Sequence, residues 1–96
     1  MNPGMLNELK KMQQQIQEAQ EKIESTEYTG KASGVTAIVQ GTRQLVEIKI
    51  EPEMMEEIEL VQDAIVVAVN DALNQIEREQ EETMGQFSGG MGGLGF

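Results

Sequence analysis

Apolar residues recur at alternating intervals of four and three through the first 25 positions. They are Met5, Leu9, Met12, Ile16, Ala19 and Ile23. This spacing predicts a helix with a narrow heptad seam rather than a broad globular stripe. Asn2 and Pro3 are typical of an N-cap and a first helical residue, so the helix should begin there and end near residues 25–27.

The seam has two candidate partners. The helix could pack on the sheet of its own domain or on a helix of another chain, and both fit the spacing. A chain of 96 residues with three aromatics offers a small core, which oligomerisation commonly reinforces. We therefore favour a partner helix and predict that Met12 and Ile16 lie in a dimer interface.

Two β-favourable runs, residues 35–40 and 43–50, are separated by Gly41-Thr42. Glycine in the first turn position is typical of a type II′ turn, so the pattern predicts a hairpin. A short strand around Tyr28 would make the sheet three-stranded.

A two-residue turn would fix the register of this hairpin. Ile38 would face Leu45 on the outer side of the sheet, an apolar spot that we assign to the dimer interface. The opposite face should meet the helices. It carries Val35, Ala37, Val46, Ile48 and Ile50.

Pro52 ends the second strand, and helical spacing then returns. The apolar positions are Ile58, Val61, Ile65, Ala68, Val69, Ala72, Leu73 and Ile76. Residues 77–82 are polar all round, so the end of this helix should project into solvent, and Gly85 should stop it. The prediction is an α+β domain over residues 1–84, followed by a flexible Gly/Met-rich tail over residues 85–96.

The charge is divided between the two halves of the chain. Residues 1–50 carry six basic and six acidic side chains, whereas residues 51–96 carry one basic and eleven acidic ones, which accounts for the net charge of −10. A polyanion would therefore approach the first half.

The residue inventory excludes several kinds of chemistry. Without His or Cys, the chain has no Ser-His or Cys-His nucleophile, no disulfide and no Cys-ligated zinc. The glutamates at 51–59 lack the pattern of a calcium loop, and the glycines follow a helix rather than joining a strand to one. We predict no enzymatic activity, metal or cofactor. The longest apolar run, residues 64–69, is too short to span a membrane, and no secretory signal is visible.

Five segments resemble the YbaB/EbfC family of bacterial nucleoid-associated proteins. They are KMQQQ (11–15), GVTAIVQG (34–41), VEIKIEP (46–52), AVNDA (68–72) and MG (84–85). AVNDA, placed after a strand that ends in Ile-x-Pro, is the most specific of them. The resemblance covers nearly the whole chain and implies a homodimer with tweezer-like helical arms that binds DNA and alters its conformation.

The resemblance and the charge division together suggest the DNA-contacting residues. We assign this role to Lys10, Lys11, Lys22 and Arg43, with contacts to the phosphate backbone. The expected protein is a cytoplasmic, nucleoid-associated homodimer that affects nucleoid organisation and gene expression. The alternative is an acidic dimeric scaffold that binds another protein and has no significant affinity for DNA.

Overall fold

The computed structural model of the protein describes the backbone of residues 3–92 and the side chains of residues 3–87. Its elements are helix α1 (Pro3–Ser25), strands β1 (Glu27–Ala32), β2 (Val35–Gln40) and β3 (Leu45–Ile50), a 3₁₀ turn (Pro52–Met54) and helix α2 (Ile58–Gly92). The predicted α+β fold, in which a three-stranded sheet lies between two long helices in the sequence, is confirmed. Asn2, the predicted N-cap, lies outside the described residues.

Hydroxyl groups close the last turn of α1. Ser25 Oγ and Thr26 Oγ1 both donate to the carbonyl oxygen of Lys22, at 3.1 and 2.6 Å. These bonds satisfy a carbonyl that lies where the helix runs out of backbone donors. The helix ends at Ser25, as predicted, and the chain enters β1 two residues later.

The strands form one antiparallel sheet in the order β1-β2-β3. β1 is joined to β2 by Ser33-Gly34, whose φ angles of 42° and 79° fit a type I′ turn. The short strand predicted around Tyr28 is therefore a full six-residue strand at the edge of the sheet.

The connection between β2 and β3 is longer than predicted. The N–H of Arg43 donates to the Gln40 carbonyl at 2.7 Å, and the N–H of Gln40 donates to the Gln44 carbonyl at 2.8 Å. Arg43 itself has a φ of 70°. A turn followed by a left-handed residue is typical of three-residue hairpin loops.

The longer loop shifts the register of β3. Ile38 lies opposite Glu47, and Leu45 lies opposite Val39, with an irregularity between these two pairs. The predicted pairing of Ile38 with Leu45 is therefore wrong. The type II′ turn is also wrong, because Gly41 does not have the positive φ that this turn requires in its first position.

Gly41 is needed for close packing instead. A Cβ added to it would overlap the carbonyl oxygen of Ile23 in the last turn of α1. The hairpin tip and the end of α1 are thus in backbone contact, and the N–H of Gly41 donates to the Thr26 carbonyl at 2.9 Å.

A buried stripe of three alanines and one isoleucine lies on the side of α2 that faces the sheet. Ala64, Ala68, Ala72 and Ile76 recur every four residues and are all buried. They pack with Val35, Ala37 and Val39 of β2, and α2 covers β1 and β2. A Cβ on Gly30 of β1 would overlap the carbonyl oxygen of Ala68.

β3 lies largely beyond the cover of α2. Ile48 and Ile50 are half-buried against the core, on the predicted side. Val46, predicted to face the helices, is 48% exposed, so this part of the prediction is wrong for the single chain. The register shift and the position of β3 at the sheet edge both contribute to its exposure.

At its C-terminal end, the seam of α1 packs on α2 of the same chain, a partner that the spacing did not indicate, whereas Met5 and Leu9 at its other end are exposed. Ile23 is buried with Ile76, and one groove is lined by Gln20 from α1 and by Gln80 and Thr83 from α2. Decreasing numbers on α1 meet increasing numbers on α2, so the helices are antiparallel. We call α1 together with residues 76–87 of α2 the arm; the chain measures 67 × 27 × 12 Å.

α2 does not stop at Gly85 but continues to Gly92. Gly85 lacks the positive φ of a helix-ending glycine, and one glycine inside a helix costs about 1 kcal/mol, too little to force an end. Residues 93–96 of the predicted tail lie outside the described residues. The division into a domain of residues 1–84 and a flexible tail stays a prediction.

Candidate nucleic-acid interface

Three of the four predicted DNA-contacting residues lie on α1, and all three are exposed. Lys11 and Lys22 are eleven residues apart, which is close to three full helical turns, so they lie on one side of α1 about 16 Å apart along its axis. Lys10 is about 100° further round the helix. The arm therefore displays its cations along its length rather than in a single cluster.

Arg43, the fourth predicted residue, lies at the hairpin tip beside the base of the arm. Its Nη2 donates to Oε1 of Gln80 on α2 at 2.9 Å. The neighbouring Gln40 donates its Nε2 to the carbonyl of Glu24 in the last turn of α1, at 3.1 Å. The structure thus brings Arg43 and Lys22 to the same end of the arm, while Lys10 and Lys11 lie nearer its tip.

Within residues 3–87, whose side chains the structure describes, no ion pair neutralises these four cations. Within the described residues, the one ion pair closer than 4.0 Å is Lys49 with Glu47, at 3.9 Å, and both side chains are largely exposed. Such a surface pair contributes little stability, at most about 1 kcal/mol. The ammonium groups of Lys10, Lys11 and Lys22 are therefore available to an anionic ligand.

The acidic half of the sequence does not form a separate body. Glu77, Glu79, Glu81 and Glu82 belong to the part of α2 that packs against α1, so the arm contains both basic and acidic side chains. The glutamates between residues 51 and 59 lie at the other end of the sheet, beyond the end of β3. The basic and acidic parts of the sequence are therefore only partly separated in the folded chain.

Sequence reasoning missed the groups that hold the arm to the sheet. Gln80 lies 37 residues from Arg43, and no local pattern indicates that the two side chains meet. Gly41 was assigned to a turn, although its lack of a side chain serves the approach of α1. A glycine that begins a turn is ambiguous from sequence alone, because both roles require it.

Tyr28 is a half-buried titratable group near the base of the arm. Burial raises the pKa of its phenol above the usual 10.0, and the negative charge of Glu79 raises it further. A hydrogen bond with Thr26 acts in the opposite direction. The neutral phenol is therefore favoured in the folded chain.

The four predicted dimer-interface residues lie in two separate places. Met12 and Ile16 are half-buried on the seam of α1, in the arm. Ile38 is half-buried in the central strand and Leu45 is exposed at the start of β3, and they do not pair. The assignment of these residues to an interface stays a prediction.

A larger apolar surface lies on α2. Residues 64–69 are apolar on every side of the helix, yet the sheet covers one side of it. Val66 and Val67 are 59% and 55% exposed, and Ile58 is 65% exposed. A helix that is apolar all round is normally buried all round.

The described part of the chain has neither a membrane-spanning helix nor a cluster of metal ligands. No helix there is both long and apolar enough to cross a membrane. Within the same residues, no three acidic side chains are grouped so that they could hold a metal ion.

The chain is similar to proteins of one family over almost its whole length. The sequence profile of the YbaB/EbfC DNA-binding family matches residues 1–91. A nucleoid-associated protein of Enterococcus faecalis is 37% identical over 95 residues, which cover 95% of this chain and 91% of that protein. A nucleoid-associated protein of Legionella pneumophila is 38% identical over 91 residues, covering 92% and 81%. A crystal structure of an uncharacterized protein from Helicobacter pylori matches with a TM-score of 0.67 at 25% identity, over 85% of this chain and 91% of that one.

Proposed function

The chain belongs to the YbaB/EbfC DNA-binding family, and on that premise we propose that it is a homodimer that binds duplex DNA through phosphate contacts and alters its conformation. The observation that carries this proposal is the set of exposed lysines on α1, Lys10, Lys11 and Lys22, which form no ion pair with any side chain that the structure describes. The proposed setting is the nucleoid in the cytoplasm, with effects on nucleoid organisation and gene expression.

Phosphate contacts suit this surface better than base contacts. Lysine and arginine side chains on a helix can follow the phosphate backbone without entering a groove, and such contacts carry no sequence information. The set of lysines supports binding along the arm, and Arg43 would extend that set at its base. Because Arg43 already bonds to Gln80, we propose that it also orients the arm.

The glutamates of the arm oppose this binding. Glu77, Glu81 and Glu82 belong to the same arm as the lysines, and they would repel phosphate at low ionic strength. Net affinity should therefore be weak and strongly dependent on salt. If each chain of a dimer contributes three or four cations, log Kd should change with log salt with a slope of about 5 to 7.

A second copy of the chain is the proposed cover for the apolar face of α2. Val66 and Val67 are adjacent and both more than half exposed, and Ile58 is exposed about two turns earlier on the same helix. The family resemblance supports a homodimer, and pairing through α2 would leave the arms free. We propose Ile38 and Leu45 as secondary contacts of this dimer, whereas the other two predicted interface residues, Met12 and Ile16, lie on the arms and would take part only if the arms also meet.

Gel shifts over a salt series test the DNA proposal. The variant Lys10→Glu/Lys11→Glu removes about four phosphate contacts from a dimer. We expect at least about tenfold weaker binding at about 50 mM salt and a slope smaller by about 3 to 4. The matched control is Lys31→Glu/Lys49→Glu, which changes the net charge equally on the sheet and should bind within about threefold of the parent.

Either of two results would refute the proposal that the arm binds DNA. One is an absence of binding by the parent at low salt, and the other is equal loss in both variants, which would mean that net charge rather than the arm decides affinity. The first result would favour the protein scaffold, which one observation supports: Met55 and Ile58 are exposed within the glutamate-rich segment 51–59. A pull-down that recovers the same partner after nuclease treatment would then identify it.

A further inference from the structure

The outer edge of β1 is occupied by side chains of α2. In an antiparallel pair, alternate residues direct their N–H and C=O away from the neighbouring strand. The N–H of Lys31 donates to Oδ2 of Asp71 at 3.2 Å, and the carbonyl of Thr29 accepts a bond from Nε2 of Gln75 at 2.8 Å. Thr29 and Lys31 are two residues apart, so both groups point to the same side, away from β2. Two polar groups of the free edge are thus already bonded.

If these two backbone groups were not bonded to α2, the β1 edge could pair with β1 of a second copy of the chain. Antiparallel pairing of two β1 strands about Thr29 would place Glu27 of each strand opposite Lys31 of the other. Both side chains are exposed, and neither forms an ion pair with another described residue. Opposite charges in directly facing positions stabilise a strand pair. The sequence of β1 is therefore self-complementary in this register.

We propose that Asp71 and Gln75 prevent the β1 edge from pairing with β1 of another copy. An exposed edge strand is a template for association, and natural proteins cover or charge such edges. Asp71 and Gln75 lie one helical turn apart on α2, and they bond to the backbone groups that an incoming strand would need. The two side chains therefore block the edge to a further strand. They leave exposed the face of β1 that points away from α2.

The other edge of the sheet is protected differently. β3 contains the pairing irregularity beside Leu45. An irregularity of this kind discourages pairing with a flat strand. β1 has a regular register over its whole length, so it depends on the two side chains of α2.

The test is the mass of the variant Asp71→Ala/Gln75→Ala, measured against the parent by sedimentation between about 10 µM and 1 mM. We expect species at least twice the mass of the parent, increasing with concentration. The matched control is Asn70→Ala/Asn74→Ala, on the same helix but without bonds to β1, and it should keep the parent's mass. The readout is relative to the parent, so it does not depend on DNA binding or on the proposed dimer.

Charge reversal identifies the strand that pairs. In the Asp71→Ala/Gln75→Ala background, Lys31→Glu should abolish the larger species, because glutamates would then face each other. Adding Glu27→Lys should restore them. Larger species that are indifferent to both reversals would overturn the proposal, as would a folded double variant that keeps the parent's mass.

Amide exchange provides a second measurement in case the double variant does not fold. Asp71→Ala alone should accelerate exchange of the Lys31 amide at least tenfold, whereas Asn70→Ala should leave it unchanged. An unchanged Lys31 rate in Asp71→Ala would show that the edge is not held by this carboxylate, and the proposal would fail.

Discussion

Gly30 sets the distance between the sheet and α2. It is buried in β1, where the backbone of Ala68 and Ala72 leaves no room for a Cβ. A glycine inside a strand ordinarily weakens it, and here the close approach of the helix compensates. Both bonds that α2 makes to the edge of β1 depend on the same short distance.

Gly30→Ala should therefore lower the free energy of unfolding. Overpacking against a rigid backbone costs about 1–3 kcal/mol, and the overlap with Ala68 points to the upper end. Gly85→Ala is the control, because a Cβ there meets nothing within 4 Å and alanine favours the helix, so it should stabilise by about 0.5–1 kcal/mol. Urea unfolding of both variants measures the difference. Equal stability of the two would contradict the packing described.

The raised pKa of Tyr28 predicts that the free energy of unfolding decreases at alkaline pH. Its pKa is raised in the folded chain, so the folded protein holds the phenolic proton more tightly than the unfolded chain does. The resulting stabilisation is fully present below pH 10.0 and is lost as the pH rises through the folded pKa. Urea unfolding between pH 9 and 11 should show a steeper loss for the parent than for Tyr28→Phe.

The absorbance of the phenolate isolates this group, because the chain has one tyrosine. A titration midpoint at or below 10.0 in the folded protein would mean that burial and Glu79 do not act as described.

Local sequence patterns predicted the individual helices and strands better than they predicted how these elements pair. Helix α1 follows from the heptad spacing and the β1 strand from its β-favourable residues, because both signals lie within a few neighbouring positions. The partner of α1 did not follow, since residues 76–87 are distant in sequence and their polar surface gave no indication of packing. The register of β3 failed because Arg43 adopts a left-handed conformation that its residue type does not favour.

The four candidate cations illustrate the same limit at the site. Their exposure on α1 and at the hairpin tip could be anticipated, because lysine and arginine are mostly exposed. That Arg43 bonds to Gln80, and that glutamates share the arm, depends on how α1 and α2 pair. Net charge along a sequence cannot supply that information.

The exposed face of α2 carries a prediction about assembly. Val66→Asp/Val67→Asp should convert a dimer into a monomer, because burying two carboxylates at an interface is strongly unfavourable. Gln13→Glu/Gln14→Glu adds the same charge on the exposed side of α1 and should leave the dimer intact. Sedimentation at micromolar concentration distinguishes the two. A parent that is already a monomer there would refute the proposed dimer, and a dimeric aspartate variant would move its interface elsewhere.

Across the whole chain, the arm extends from the sheet, to which it is attached at its base. Its base is held by the contact of Gly41 with Ile23 and by the bond between Arg43 and Gln80. Lys10 and Lys11 lie towards the other end, some 20 Å from the last turn of α1. In the proposed dimer, the separation of the two arms would limit how much DNA could fit between them.

The antiparallel pairing in the arm also has a consequence for the order of synthesis. α1 is made first, whereas Ile76, its buried partner, follows Ile23 only after the three strands and half of α2. At about 5–20 residues per second, the ribosome needs about 3–10 s to cover that interval. During this interval the apolar seam of α1 is uncovered, because the residues of α2 that will pack on it have not yet been synthesised.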